Sequence, residues 1–153
     1  MWDADLRVSV DFMDDEHAQL RATLNELGDV AAAGYGDVNA FPRATRLLEL
    51  LRAETERHFA HEEEVMRRYA YPLLSDHVLR HTKFLRDMVG VRGKFAAGLE
   101  SEVTFRVVHR LQLWFARHIL TSDVALAEWL TVRGCLETEL TASSWLPPRV
   151  SLW

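Results

Sequence analysis

The chain has 153 residues, 48% of them hydrophobic and 27% charged, which is typical of one globular domain that buries a sizeable core. Its net charge of −5 gives no concentration of Lys and Arg for a phosphate backbone, so we expect no nucleic-acid partner. No apolar run approaches the roughly 20 residues that span a bilayer, and residues 1–13 lack an export pattern. The single cysteine, Cys135, excludes an internal disulfide. These features together favour a location in the cytoplasm.

Stretches rich in Leu, Ala, Glu and Arg alternate with short Gly, Pro and Asn breaks along the whole chain, and this pattern predicts helices. We expect an irregular N-terminal arm over residues 1–13. The first helix is predicted from about Asp14 to Ala33, with Asp14 and Asp15 placed to cap its N-terminus and to complement its dipole. Glycines at positions 34 and 36 end this helix, since glycine tolerates the left-handed stop conformation.

Three further helices are predicted, over about Phe41–Arg68, over Leu73–Ala97, and from Ser101 to just before Gly134. Pro42 is accepted in a first helical turn, and Gly98 marks the turn between the third and fourth helices. Four helices with short connections imply antiparallel neighbours. The sequence therefore predicts an all-α, up-down-up-down four-helix bundle.

The C-terminal residues differ in character from the rest, because they contain Pro147-Pro148, Trp145 and Trp153. We expect residues 1–134 to form the bundle domain and residues 135–153 to form a C-terminal extension. The extension is expected to pack back on the bundle or to dock a protein partner.

Seven histidines occur, and their spacing on the predicted helices indicates a metal site. His77 and His81 are four residues apart and therefore share one helix face, and His58 and Glu62 have the same relation. A bundle core is a recognised place for metal sites built from facing helices. Every predicted helix offers at least one candidate ligand: His17, His58, Glu62, His77, His81, His118 and Asp123.

Each candidate also has an ordinary explanation as a hydrogen-bonded histidine or a surface pair. Burying all of these groups together, however, would destabilise the fold by several kcal/mol for each group that has no partner. The apolar residues around His118, among them Leu111, Trp114 and Phe115, indicate that its face points inward, so a metal is favoured. Five imidazoles and two carboxylates are too many for one tetrahedral zinc ion and fit two ions that share both carboxylates.

His118 and Asp123 do not follow a simple helical spacing. A separation of five residues rotates Asp123 by about 140° from His118 on an ideal α-helix. Two explanations are open: the helix is locally widened, as in a π-bulge, or the two side chains reach the centre from opposite flanks.

These motifs resemble the hemerythrin family, specifically its single-domain bacterial members. The resemblance covers about residues 2–133 and is specific, because the spacings HxxxE, HxxxH and HxxxxD occur in the family's order. The matching stretches are Val10–Leu20 (VDFMDDEHAQL), His58–Met66 (HFAHEEEVM), Tyr71-Pro72 followed by His77 and His81, and Trp114–Asp123 (WFARHILTSD).

The resemblance implies a cofactor of two iron ions with a bridging oxo or hydroxo group. It assigns three imidazoles to one iron, from His77, His81 and His118. It assigns two to the other iron, from His17 and His58, and lets Glu62 and Asp123 bridge the pair. The second iron then keeps an open position for molecular oxygen, in a pocket walled by Leu20, Trp114 and Ile119.

Reversible oxygen binding for storage, transport or scavenging is the function that the resemblance implies, without enzymatic turnover beyond a weak peroxidase or oxidase side activity. One alternative is a di-iron redox enzyme; the Glu-x-x-His pairs of ferritin-like enzymes do not occur in the sequence. The other is an oxygen or redox sensor, for which only the C-terminal extension would serve as output. His109 is expected to face solvent, and His61 to lie at most at the edge of the site.

Overall fold

The computed structural model describes residues 6–33, 40–96 and 101–135. The helical elements are α1 (Asp11–Ala33), α2 (Ala40–Arg68), α3 (Leu74–Ala96), α4 (Ser101–His118), a π-helical segment (Ile119–Asp123) and α5 (Val124–Val132). The last three follow one another without a break and form the fourth helix of the bundle. Helix α1 packs against α2 and α4, and α2 packs against α3. The predicted all-α four-helix bundle is confirmed, and no helix in the described ranges is long and apolar enough to cross a membrane.

The start of the first helix was predicted three residues too late, because α1 begins at Asp11 instead of Asp14. The Asp14 side chain does not cap this helix. Its two carboxylate oxygens accept hydrogen bonds from the backbone N–H groups of Val8 (2.7 Å) and Ser9 (3.1 Å). Asp14 therefore fixes the end of the N-terminal arm against the first helical turn.

Parts of three predictions lie outside the described residues. These are the first five residues of the N-terminal arm, the glycine turns at 34–36 and 98, and the C-terminal extension beyond residue 135 with its two tryptophans, Trp145 and Trp153.

Buried side chains recur at alternating steps of three and four residues on the first two helices, as expected for helices that face a bundle core. On α1 they include Met13, His17, Leu20, Leu24, Leu27 and Ala31. On α2 they include Ala44, Leu48, Leu51, Thr55, His58, Glu62 and Val65. His17, His58 and Glu62 thus occupy positions that the pattern otherwise gives to apolar residues, which places them inside the core.

The apolar core is divided into two clusters by these polar residues. On α1, His17 lies between Met13 of one cluster and Leu20 of the other. On the fourth helix, Asp123 lies in the same way between Ile119 and Leu126. A polar layer therefore crosses the bundle with apolar packing above and below it.

Helix α2 ends in an unusual left-handed residue. Ala70 has φ of +55°, and the amide N–H of Tyr71 donates to the carbonyl of Met66 (2.8 Å) while that of Ala70 donates to Arg67 (3.2 Å). This is the Schellman pattern, in which glycine usually occupies the left-handed position. Helix α5 ends with the same two bonds around Gly134, whose φ is +68°.

The two helix ends make a matched prediction about stability. Ala70→Gly is expected to raise the free energy of unfolding by up to about 1 kcal/mol. An L side chain in this conformation costs roughly 1–2 kcal/mol, and the larger conformational entropy of glycine in the unfolded state offsets part of the gain from removing it. Gly134→Ala is expected to lower the free energy of unfolding by about 1 kcal/mol for the same reason. Urea unfolding of both variants at equal metal content checks the pair, and a destabilised Ala70→Gly variant would contradict it.

Candidate metal centre

All seven predicted ligands meet in the polar layer, and none is more than 4% exposed. They form two groups that share Glu62, and within each group the candidate ligand atoms lie within 4.8 Å of one another. The first group is Glu62, His77, His81 and His118, and the second is His17, His58, Glu62 and Asp123. The structure therefore brings together the whole predicted set and divides the imidazoles three and two.

The first group has its nitrogens at the spacing that a metal ion requires. His118 Nε2 lies 3.2 Å from His77 Nε2 and 3.1 Å from His81 Nε2. For imidazole–metal distances of about 2.1 Å, two nitrogens at right angles around one ion are about 3 Å apart. The three rings thus converge on a single point.

The second group has two imidazoles from neighbouring helices. The His17 and His58 rings stand edge to face with their centroids 4.8 Å apart. His17 Nε2 lies 3.2 Å from Asp123 Oδ2, and His58 Nε2 lies 3.7 Å from Glu62 Oε1. This group offers one imidazole fewer than the first.

Each carboxylate directs one oxygen to each group. Glu62 Oε2 lies 3.2 Å from His81 Nε2, whereas its Oε1 faces His58. Asp123 Oδ1 lies 3.1 Å from His118 Nε2, whereas its Oδ2 faces His17. Glu62 and Asp123 are therefore placed to bridge two cations.

The π-helical segment explains how Asp123 reaches the centre. The Val124 N–H donates to the carbonyl of Ile119, five residues earlier. This wider turn rotates less per residue than an α-helix, so five residues come closer to one full turn. Of the two explanations left open by the spacing, the local widening is the one observed.

Two further carboxylates, which the sequence reasoning did not single out, orient the rings. His58 Nδ1–H donates to Glu16 Oε2 (3.0 Å), and His81 Nδ1–H donates to Glu63 Oε1 (3.1 Å). A carboxylate can only accept, so these bonds place the proton on Nδ1 and leave the Nε2 lone pair directed into the centre. That is the state in which an imidazole binds a metal.

The centre contains buried polar atoms that the protein itself does not satisfy. Within the described residues, these atoms lack a hydrogen-bond partner: both ring nitrogens of His17, Nε2 of His58, and both carboxylate oxygens of Glu62 and Asp123. Unpaired buried groups of this kind are costly. Cations at the two groups would satisfy them, and a set of five imidazoles and two bridging carboxylates fits a pair of iron ions better than a single tetrahedral zinc.

The buried carboxylates are held in their ionised form. Burial alone would raise the pKa of Asp123, but the charge of His118 and contacts with His17 and His77 hold it well below its usual range. The pKa of Glu62 is lowered in the same way, against burial and the charge of Asp123, by His58, His77 and His81. The centre therefore attracts positive charge.

Protons supply part of that charge in the metal-free protein. Burial would lower the pKa of His77, yet its contacts with Asp123 and Glu62 raise it from 6.5 to about 9. His77 is thus protonated at neutral pH until a metal ion displaces the proton, since only the neutral ring can bind.

Metal affinity is accordingly expected to depend on pH. Because the metal-free His77 holds a proton below about pH 9, affinity should rise with pH, by about tenfold per unit for each proton released, until that pH is reached. Isothermal titration calorimetry with Co²⁺ in buffers of different ionisation enthalpy gives the number of protons released on binding. Binding at pH 7.5 without proton release would contradict the expectation.

Of the three predicted pocket residues, Trp114 contacts a predicted ligand ring. Leu20 and Ile119 lie within one helical turn of the ligand positions His17 and His118. Leu20 and Ile119 are each 2% exposed and belong to one core cluster, against which Trp114 packs. The Trp114 ring stacks on the His118 ring at 4.6 Å and on Phe84 at 3.9 Å.

The remaining two histidines lie outside the metal groups. His109 is exposed at the surface. His61 is half-buried, and its Nδ1 donates to Glu16 Oε1 at 3.3 Å, at the edge of the centre.

Comparison with known proteins gives one consistent result. A family model described as the hemerythrin HHE cation binding domain matches residues 8–130. Bacteriohemerythrin of Ralstonia nicotianae is 31% identical over 133 residues, which cover 87% of this chain and 90% of that protein. Myohemerythrin of Theromyzon tessulatum is 26% identical over 122 residues, covering 80% and 86%.

Solved structures agree with the sequence comparison. A wild-type hemerythrin superimposes with a TM-score of 0.69 at 25% identity, covering 84% of this chain and 95% of that one. The structure of a leucine-to-phenylalanine point mutant gives the same TM-score at 26% identity, covering 84% of this chain and 94% of that one. A match of fold, of sequence and of the cation-binding domain over residues 8–130 has one explanation: the chain belongs to the hemerythrin family.

Proposed function

We propose that the chain binds molecular oxygen reversibly at a non-haem di-iron centre and serves oxygen storage, transport or scavenging. In this proposal His77, His81 and His118 hold one iron. His17 and His58 hold the other, and Glu62 and Asp123 bridge them. When bound, the iron pair supplies the electrons that oxygen binding requires.

The unequal division of the imidazoles is the observation that carries this proposal. With both bridging carboxylates counted, the first group offers five protein ligands and the second offers four. A cation held by the second group would therefore have one protein ligand fewer than a cation held by the first. The less completely ligated ion would be the one suited to binding a small ligand without changing the rest of the centre.

The apolar wall supports reversible binding over further reaction. Leu20 and Ile119 are almost fully buried. Leu20 follows His17 by one helical turn, and Ile119 directly follows His118. The Trp114 ring stacks on the His118 ring. An apolar wall limits the access of water and protons, which would otherwise promote irreversible oxidation. The centre also relies on neutral imidazoles for most of its ligands, and these stabilise high iron charge less than additional carboxylates would.

Anaerobic loading with ferrous iron, followed by absorption spectra through cycles of adding and removing oxygen, tests the proposal. We expect the oxygenated spectrum to disappear when oxygen is removed and to return when it is restored, with no reductant supplied. Irreversible oxidation at the first exposure would contradict oxygen carriage. Sustained oxygen consumption with a reductant would support the redox-enzyme alternative instead.

A further inference from the structure

In each metal group, the Nδ1–H of one imidazole donates a hydrogen bond to a carboxylate outside the group. Glu63 accepts from His81 in the first group, and Glu16 accepts from His58 in the second. Glu16 directly precedes the ligand position His17, and Glu63 directly follows Glu62. Both therefore lie at the edge of the inward helix face, from which a side chain can reach around a ring on a neighbouring helix.

The two carboxylates are themselves fixed by an outer layer of donors. Glu63 Oε2 accepts from Arg67 Nη2 at 2.8 Å. Glu16 Oε1 accepts from His61 Nδ1, and Arg57 Nε lies 3.9 Å from the same oxygen. The His61 ring packs against Phe12 with centroids 4.0 Å apart, which fixes His61 in turn.

We propose that Glu16 and Glu63 are positioning residues that tune the centre, one for each metal ion. A carboxylate that accepts the Nδ1 proton fixes the ring's tautomer and orientation and makes Nε2 a stronger donor. Each ion thus has at least one strengthened imidazole, whereas the Nδ1 of His17 has no such partner within the described residues. This inference rests on the metal centre of the proposed function but not on its reaction with oxygen.

The surface supplies matched controls for both positions. Glu64 is adjacent to Glu63, but its side chain is 50% exposed and pairs with Arg67 and Arg68. Asp15 is adjacent to Glu16 and exposed. Glu64→Gln and Asp15→Asn remove the same charge from the same helices without touching an imidazole of the centre.

The test measures the rate at which anaerobic ferrous protein loses iron to a chelator. Glu16→Ala and Glu63→Ala are expected to lose iron about 10- to 100-fold faster than the parent, which is the usual cost of removing such a partner. Glu16→Gln and Glu63→Gln keep an acceptor of the same shape and should lose iron more slowly than the Ala variants. Both controls should match the parent.

The Gln variants also separate tuning from a merely structural role. Because they retain the shape but not the charge, their iron reduction potential should shift to more positive values, while the controls stay at the parent potential. Ala variants that release iron within twofold of the parent, together with Gln variants at the parent potential, would overturn this inference. A parent that loads fewer than two irons per chain would contradict the proposed function instead.

Discussion

Glu62→Ala is expected to reduce the iron content of anaerobically loaded protein from two per chain to nearly none, while the helices remain formed. Glu62 is the residue common to both metal groups, and each of its oxygens faces a different group. Four-ligand structural zinc sites bind with roughly 10–16 kcal/mol, or about 3 kcal/mol per ligand. Loss of one ligand from each ion should therefore weaken each by on the order of 100-fold.

Iron per chain after desalting and helicity by circular dichroism are the two measurements. The matched control is Glu64→Ala, since Glu64 lies two residues further along α2 with half of its side chain exposed. Glu62→Gln, which keeps the shape, should also lose iron because an amide does not bridge two cations as a carboxylate does. If Glu62→Ala protein retained two irons per chain, Glu62 would not be a ligand of the centre.

Much of the fold and of the centre could be predicted from spacing alone. His58 with Glu62, and His77 with His81, are four residues apart, so any α-helix places each pair on one face. The four-helix pattern then determines which faces turn inward. The structure buries all four of these side chains, because they lie in phase with the apolar residues of their own helices.

Asp123 marks the limit of that reasoning. Five residues separate it from His118, and both a widened helix and an approach from opposite flanks were compatible with the spacing. The i→i+5 bond between Val124 and Ile119 depends on how the fourth helix packs in the bundle. A π-helical turn has no strong local signal in ILTSD, so only the tertiary structure could decide.

Glu16 and Glu63 were missed for a different reason. Glu62, Glu63 and Glu64 are consecutive, and nothing local distinguishes them. One is buried in the centre, the next bonds the ring of His81 on another helix, and the third pairs with surface arginines. Their roles differ only because successive residues turn by about 100° around the helix.

The start of the first helix was missed because Asp14 had two competing uses. An aspartate before an apolar helical stretch is a common N-cap, yet here the arm's own amides bond its carboxylate. With Asp14 engaged in this way, the helix extends back to Asp11.

Leu20→Ala is expected to make the irreversible oxidation of the oxygenated protein about tenfold faster. This corresponds to a decrease of about 1.4 kcal/mol in the activation free energy of that oxidation. Leu20 is 2% exposed and follows His17 by one helical turn, in the same core cluster as Ile119. Replacing its isobutyl group by a methyl group leaves space beside polar atoms that can hold water. Water at this position supplies protons and promotes irreversible oxidation.

The control for this variant must remove an equally buried leucine side chain from the same core cluster at a position further from the centre. Leu24 is fully buried in the same cluster and lies one further turn along α1 from His17. Both Leu→Ala changes should lower the free energy of unfolding by about 2–5 kcal/mol, so general loosening of the core would affect them equally. The decay of the oxygenated absorption in air separates the two. Faster decay in Leu20→Ala alone places the protective wall at Leu20, whereas equal decay in both variants would mean that core stability, and not this wall, limits oxidation.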